Sequence, residues 1–259
     1  MTQVSLRTEA LSVGYQDRRV IQDLDLAFPV GRSTAILGPN GCGKSTLLRA
    51  LARLLKPAAG RVLLGDDDIH TADTRELARR LAILPQFPLA PDAINVGELV
   101  RRGRTPWRGL LAPWTQADSD ACTDALDAVG MADMAERPLA ELSGGQRQRA
   151  WLALVLAQRT PLLLLDEPTS HLDLAQQIEM LRLLQRRVRD TGMTVVSVLH
   201  DLNLAARFSD HLVLLSPEGL VAEGPPESVM TADHLQRAFG LEAQVISDPL
   251  TGRPWVLPH

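Results

Sequence analysis

Gly38, Gly41, Gly43, Lys44 and Ser45 fill the pattern GxxxxGK(S/T) inside the stretch GPNGCGKST, Gly38 to Thr46. Glycines at that spacing let bare backbone N–H groups turn inward on a chain of phosphates. The first turn of a helix starting there adds unpaired N–H groups and a partial positive charge. Lys44 is placed to reach the outer phosphates, and the Ser45 hydroxyl to take one position on Mg2+. A plain strand-to-helix turn would use such glycines too. The flanks favour the phosphate role: Thr34 to Leu37 (TAIL) predicts a short strand before the loop, and Leu47, Leu48, Leu51, Leu54 and Leu55 recur at helical spacing after it, as far as Pro57.

Two adjacent carboxylates supply a second element. Asp166 and Glu167 follow the apolar run Leu162 to Leu165, which sets them at the mouth of a buried strand. The first can hold Mg2+, directly or through water, and the second can orient or deprotonate a water that attacks a terminal phosphate. A turn ending at Pro168 is the ordinary alternative. The third element is LSGGQ, Leu142 to Gln146. Ser143 can cap a helix beginning near Gln146, while Gly144 and Gly145 leave its first amides uncovered as a second anion site. Alone this would be only a cap, but it lies between the glycine loop and the acids.

The elements that must position these residues are legible from the apolar pattern. Val4 to Phe28 mixes short apolar stretches with the turn residues Gly14, Gln16 and Asp17, as an antiparallel sheet would. Strands are expected at Val62 to Leu64, Leu81 to Leu84, Leu162 to Leu165, Thr194 to Leu199 and Leu212 to Leu215, and helices at Gln146 to Gln158, Leu174 to Arg189 and Leu202 to Phe208. Alternating strands and helices, with functional residues after strands, indicate an open α/β sheet that binds its ligand at the carboxyl ends. From about 87 to 160 only helix is expected, near Val96 to Arg102 and Ala117 to Gly130, so this stretch reads as an inserted helical subdomain. After Pro226 a short tail, about 227–259, is too small for an independent domain.

Composition narrows the classes further. A chain of 259 residues with 45% hydrophobic content can bury a sizeable core, and a net charge of −4 argues against a general nucleic-acid binder. Cys42 and Cys122 build no disulfide framework, which suits a reducing compartment. The start MTQVSLRTEA lacks the order of a secretion signal, and no apolar run approaches the roughly 18 residues of a membrane span. A cytosolic chain is expected, with any membrane role supplied by a partner. The basic run Arg101, Arg102, Arg104 and Arg108 reads as a solvated face, or else as a contact for a membrane partner or acidic headgroups.

Over nearly its whole length the chain resembles the nucleotide-binding subunit of ABC transporters. The matching pieces are GPNGCGKST at Gly38, Gln86 after a strand, LSGGQ at Leu142, LLLLDEP at Leu162, SHLD at Ser170 and His200 after a strand. The resemblance implies one ABC ATPase domain over 1–259: a P-loop NTPase (RecA-like) core, an N-terminal antiparallel β subdomain and the inserted helical subdomain. It also implies a head-to-tail homodimer, in which Leu142, Ser143, Gly144, Gly145 and Gln146 of one copy close on ATP held by Gly38, Pro39, Asn40, Gly41, Cys42, Gly43, Lys44, Ser45 and Thr46 of the other. A two-fold interface of this kind encloses two nucleotides. By the same carry-over Tyr15 stacks on adenine, Ser45 and Asp166 hold Mg2+, Gln86 touches Mg2+ or the attacking water, Glu167 readies that water, Asp173 crosses the interface, and His200 contacts the γ-phosphate. Tyr15 as a strand-end aromatic, Gln86 as a turn residue and His200 as a structural histidine are the plainer alternatives. His171 and the Cys42 side chain are read as packing or surface.

Within that family, Cys42, RELARRLAILPQ from Arg75, TSHLDLAQQ from Thr169 and VLHDLNLAARFSD from Val198 resemble the importers of iron-siderophore complexes, haem or vitamin B12. The implied partners are membrane-embedded permease subunits and, indirectly, a periplasmic or surface substrate-binding protein, with no nucleic acid. The implied place is the cytoplasmic face of the inner membrane, as a peripheral subunit. A P-loop kinase leaves LSGGQ without a task. A soluble assembly or repair ATPase would ordinarily carry tandem nucleotide sites, long coiled coils or a strongly basic surface, none of which is present in the sequence.

Overall fold

The parallel strands of this protein are buried on both faces, which is why they read as unbroken apolar runs. The computed structural model describes residues 4–15, 18–88, 93–109, 112–170 and 172–259. Gln16, Asp17 and His171 lie outside the described residues. The chain opens with β1 (Leu6–Tyr15), β2 (Arg18–Phe28) and β3 (Ser33–Leu37), followed by α1 (Lys44–Leu51), β4 (Ala59–Leu64), β5 (Asp67–Asp68), α2 (Thr74–Arg80) and β6 (Leu81–Leu84). Helices α3 (Val96–Arg101), α4 (Gln116–Ala128) and α5 (Gly144–Ala157) come next. Then follow β7 (Leu162–Asp166), α6 (Leu174–Thr191), β8 (Thr194–Val198), α7 (Leu202–Phe208), β9 (His211–Ser216) and β10 (Gly219–Gly224). The last elements are α8 (Pro226–Val229), α9 (Ala232–Phe239), β11 (Ala243–Ser247) and β12 (Pro254–Pro258).

Two sheets carry the architecture. An antiparallel sheet has the order β2-β1-β4-β5, and a six-stranded sheet the order β10-β9-β3-β8-β7-β6, parallel except for β10. Side-chain alternation along β7 sends Leu162 and Leu164 into the core shared with α1 and the antiparallel sheet, and Leu163 and Leu165 into the core shared with α5 and α6. One strand thus joins two hydrophobic cores. The fold is the expected one: a parallel α/β core, an antiparallel β subdomain before it and helices inserted between β6 and β7.

Three local expectations change. Helix α1 ends at Leu51 and not near Pro57, because Arg53 turns to φ 60° and the amides of Leu54 and Leu55 both return to the Arg49 carbonyl. Leu54 is consequently exposed. The stretch after Pro226 holds more than a tail: Val229, Leu235 and Val256 are buried in the larger core, and β11 and β12 form a hairpin. Finally, the basic run is not one solvated face. Arg104 is only 7% exposed; its Nε donates to Asp118 Oδ1 at 2.9 Å and its Nη1 to the Ala157 carbonyl at 2.8 Å. Arg101 and Arg108 stack on Trp114 at 4.6 and 5.0 Å from the ring centroid.

That buried pair ties α4 to the end of α5, and Asp118 also caps its own helix through Thr115. Removing one member leaves an uncompensated buried charge. Asp118→Ala should therefore lower the unfolding free energy by about 3 kcal/mol or more, seen as a lower urea midpoint at unchanged slope. A loss under about 1 kcal/mol would mean that the pair behaves as a surface bridge.

Candidate functional site

The loop after β3 owes its shape to its glycines. Gly43, at φ 105°, is the N-cap of α1 and supplies no capping side chain, so the first amides of the helix stay free. A Cβ there would sit 2.7 Å from Val20 Cγ1, where the antiparallel sheet presses on the loop. Lys44 is buried at 6% exposure, and its Nζ donates to the carbonyls of Gly38 and Pro39 at 2.8 and 2.9 Å. A buried ammonium held by neutral carbonyls is suited to an anionic ligand. Cys42 is buried beneath the loop, and burial pushes its thiol pKa up, in keeping with a packing role.

Strand register brings the polar residues together. Parallel strands β6, β7 and β8 are neighbours, with Leu84 opposite Leu165 and Asp166 opposite Val198, so Gln86, Glu167 and His200 leave the sheet side by side. Gln86 Nε2 donates to Glu167 Oε2 at 2.7 Å, and His200 Nε2 lies 2.7 Å from Glu167 Oε1. One carboxylate is bracketed by a residue from each flanking strand. Glu167 adopts φ 51°, a left-handed conformation rare outside glycine. Beside it, Ser45 Oγ donates to Asp166 Oδ1 at 2.9 Å. Burial pushes the Asp166 pKa up; the Ser45 hydrogen bond opposes that shift and the Glu167 charge adds to it.

Ser45 and Glu167 belong to a cleft of about 330 Å³ lined also by Asn40, Gly41, Gly43, Lys44 and Thr46 together with Tyr15 and Val20. Tyr15 is 44% exposed at its rim, and its hydroxyl accepts from Arg49 at 3.4 Å. A cleft of about 390 Å³ between α4, α5 and α6 is larger but gathers neither the loop nor the acids. Among the described residues no cluster of three or more His, Cys, Asp or Glu could hold a metal by itself. Ser45 and Asp166 are hard oxygen donors in contact, a set that suits Mg2+ when phosphate oxygens complete its shell.

The LSGGQ segment is not part of that cleft. Ser143 Oγ accepts from the Gln146 amide at 3.2 Å while Gln146 Oε1 accepts from the Ser143 amide at 3.0 Å, a capping box that starts α5 at Gly144, ahead of the expected Gln146. Leu142 is buried, whereas Ser143 and Gly144 are exposed. Asp173 caps α6 by accepting from the Gln176 amide at 2.9 Å. Motif matching missed Gln148, buried on α5, whose Nε2 donates to the Pro168 carbonyl at 3.0 Å and ties the helix to the segment after Glu167. Its signal was positional: it stands one turn before Leu152 on the buried stripe.

Residues 21–170 match the ABC transporter family. The ferric enterobactin transport ATP-binding protein FepC of Escherichia coli K12 is 47% identical over 98% of this chain and 93% of its own length. The iron(3+)-hydroxamate import ATP-binding protein FhuC of Bacillus subtilis is 46% identical over 98% and 95%, and the hemin import ATP-binding protein HmuV of Nocardia farcinica is 44% identical over 93% and 83%. A metal-chelate type ABC transporter in an inward-facing conformation superposes with TM-score 0.85 at 31% identity, over 100% of this chain and 98% of that one. A dimeric ATP-binding cassette bound to ADP and phosphate gives TM-score 0.76 at 26% identity, over 85% and 98%. The family match over residues 21–170 and relatives 46–47% identical over 98% of the chain place it in the ABC transporter family as an ATP-binding subunit, an ATPase coupled to transport.

Proposed function

We propose that this chain energises uptake of an iron-siderophore type complex through a separate membrane permease. The observation that carries the hydrolytic part is the Glu167 carboxylate held at 2.7 Å by both Gln86 and His200, beside the Ser45–Asp166 pair. The loop amides and Lys44 bind the phosphates of ATP. Ser45, Asp166 and Gln86 hold Mg2+, which when bound neutralises charge that builds on the phosphates. Glu167 orients water and accepts its proton, and His200 fixes the glutamate and senses the terminal phosphate. Tyr15 stacks on the adenine from the rim.

Two copies form the active unit. Exposed Ser143 and Gly144 start a helix whose anion-attracting end lies outside its own chain's cleft, so it serves the ATP of a partner copy, with Asp173 on the same interface. Among the described residues no helix is long and apolar enough to cross a membrane. In this reading the subunit acts on permease subunits from the cytoplasmic face, with a substrate-binding protein delivering cargo from the other side, as the import roles named for its relatives suggest. Support for the cargo class comes from relatives named for enterobactin and ferric hydroxamate that match 98% of this chain. Haem is the second choice, supported by the hemin import relative at 44% identity.

Glu167→Gln should keep ATP affinity while hydrolysis falls by about 10²-fold or more, read by equilibrium binding and phosphate release; unchanged turnover would remove its role. Asp166 ionises at lower pH in the unfolded chain than in the folded protein, so its burial costs stability that sets in as pH rises through the unfolded pKa and is complete above the folded one. Asp166→Asn should accordingly raise the melting temperature of nucleotide-free protein near neutral pH, with the gain vanishing below about pH 4, although hydrolysis is lost. No gain at neutral pH would mean that burial of the Asp166 carboxylate costs the fold nothing. For cargo, a deletion strain should fail to grow on ferric siderophores as sole iron source; normal growth there with failure on haem would reverse the order of the two choices.

A further inference from the structure

The β11–β12 hairpin belongs to none of the motifs that bind or hydrolyse nucleotide, yet it is bonded to the helix that follows His200. Asn203, in the first turn of α7, uses both ends of its amide on one residue of β12: Val256 N–H donates to Asn203 Oδ1 at 2.7 Å, and Asn203 Nδ2 donates to the Val256 carbonyl at 3.2 Å. The side chain thus imitates a neighbouring strand, and only a carboxamide offers the donor and acceptor together at that reach. Val256 is itself anchored, at 3% exposure in the same core as Leu204, Ala205, Ala206 and Phe208 of α7.

The grip falls where the His200 ring has little else to hold it. Its side chain is 49% exposed and, among the described residues, bonded to Glu167 alone, so its aim is set by the backbone of residues 200 to 203. Asp201 caps the helix by accepting from the Leu204 amide at 2.8 Å, but a helix of seven residues does not hold itself. Its first turn needs a tertiary anchor, and the two hydrogen bonds of the Asn203 amide are the polar bonds from that turn to another element among the described residues. Further along, Arg207 of α7 faces the hairpin turn, where the Asp248 carboxyl is held below its usual range by Thr251, by the Leu250 amide and, least, by Arg207.

We infer that Asn203 is a positioning residue: clamped to Val256 of the β11–β12 hairpin, it fixes the first turn of α7 and through it the placement of His200 against Glu167. This rests on the proposed role of His200. It makes the final hairpin a strut of the hydrolytic site, so a partner or a strain that shifted the hairpin would change turnover without touching nucleotide.

A double-mutant cycle on the full-length protein tests this, with steady-state ATP hydrolysis as readout. Asn203→Ala should lower kcat about fivefold, the equivalent of one lost amide clamp, with KM for ATP nearly unchanged. In a His200→Ala background the same change should cost almost nothing. Asn203→Asp, which still accepts from Val256 N–H, should lie between the two and serves if the alanine variant fails to fold. Equal fold-losses in both backgrounds, or unchanged kcat in Asn203→Ala, would overturn the clamp. Unchanged kcat in His200→Ala would instead overturn the role of the histidine, and the clamp with it.

Discussion

The carboxylate of Glu167 is the point on which the site depends, because its position is set by three strands at once. Gln86, Glu167 and His200 follow β6, β7 and β8, and the parallel register of those strands alone brings the three side chains within hydrogen-bonding distance. A slip of one residue in any of them would turn its side chain to the other face. The register cannot slip cheaply, since β7 and β8 are buried along their whole length and each face is committed to a different core. Hydrophobic packing away from these side chains thus holds their geometry.

The same site spends stability on function. Lys44 is buried on neutral carbonyls, Asp166 is a buried acid whose charged form is disfavoured, and Glu167 sits in a left-handed conformation that costs about 1–3 kcal/mol in general. Lys44 and Glu167 line one cleft, and Asp166 is bonded to Ser45 of the same lining. A bound nucleotide with its cation would compensate Lys44 and Asp166, which makes the site a place where binding energy and folding energy are exchanged. Elsewhere buried charge is paired: Arg104 and Asp118 close on each other where α4 meets the end of α5. Gln148 to Pro168 does comparable work with neutral groups, joining the LSGGQ helix to the segment after Glu167.

Much of this was legible in the residues. The fold class follows from apolar runs of strand length ending in polar residues, and the phosphate loop from glycines at fixed spacing between a strand and a helix. The capping of α5 by Ser143 was also visible, although the Gln146 side chain closes the cap and moves the helix start back to Gly144. Local periodicity misled where tertiary context took over. Leu54 continues the helical spacing of α1 but lies past a left-handed Arg53. Arg104 looked like one more member of a basic run, yet it is the buried one, because Asp118 and the Ala157 carbonyl come to it from other elements.

What the sequence by itself determined is the inventory: which residues can bind phosphate, hold a divalent cation or accept a proton, and which strands deliver them. Local chemistry and short-range periodicity are enough for that. Only the tertiary structure decided that Gln86 and His200 converge on Glu167, that Ser45 meets Asp166, and that the last hairpin reaches back to Asn203. Those contacts join residues far apart in the chain, and their distances depend on strand order, register and packing, none of which a single stretch of sequence encodes.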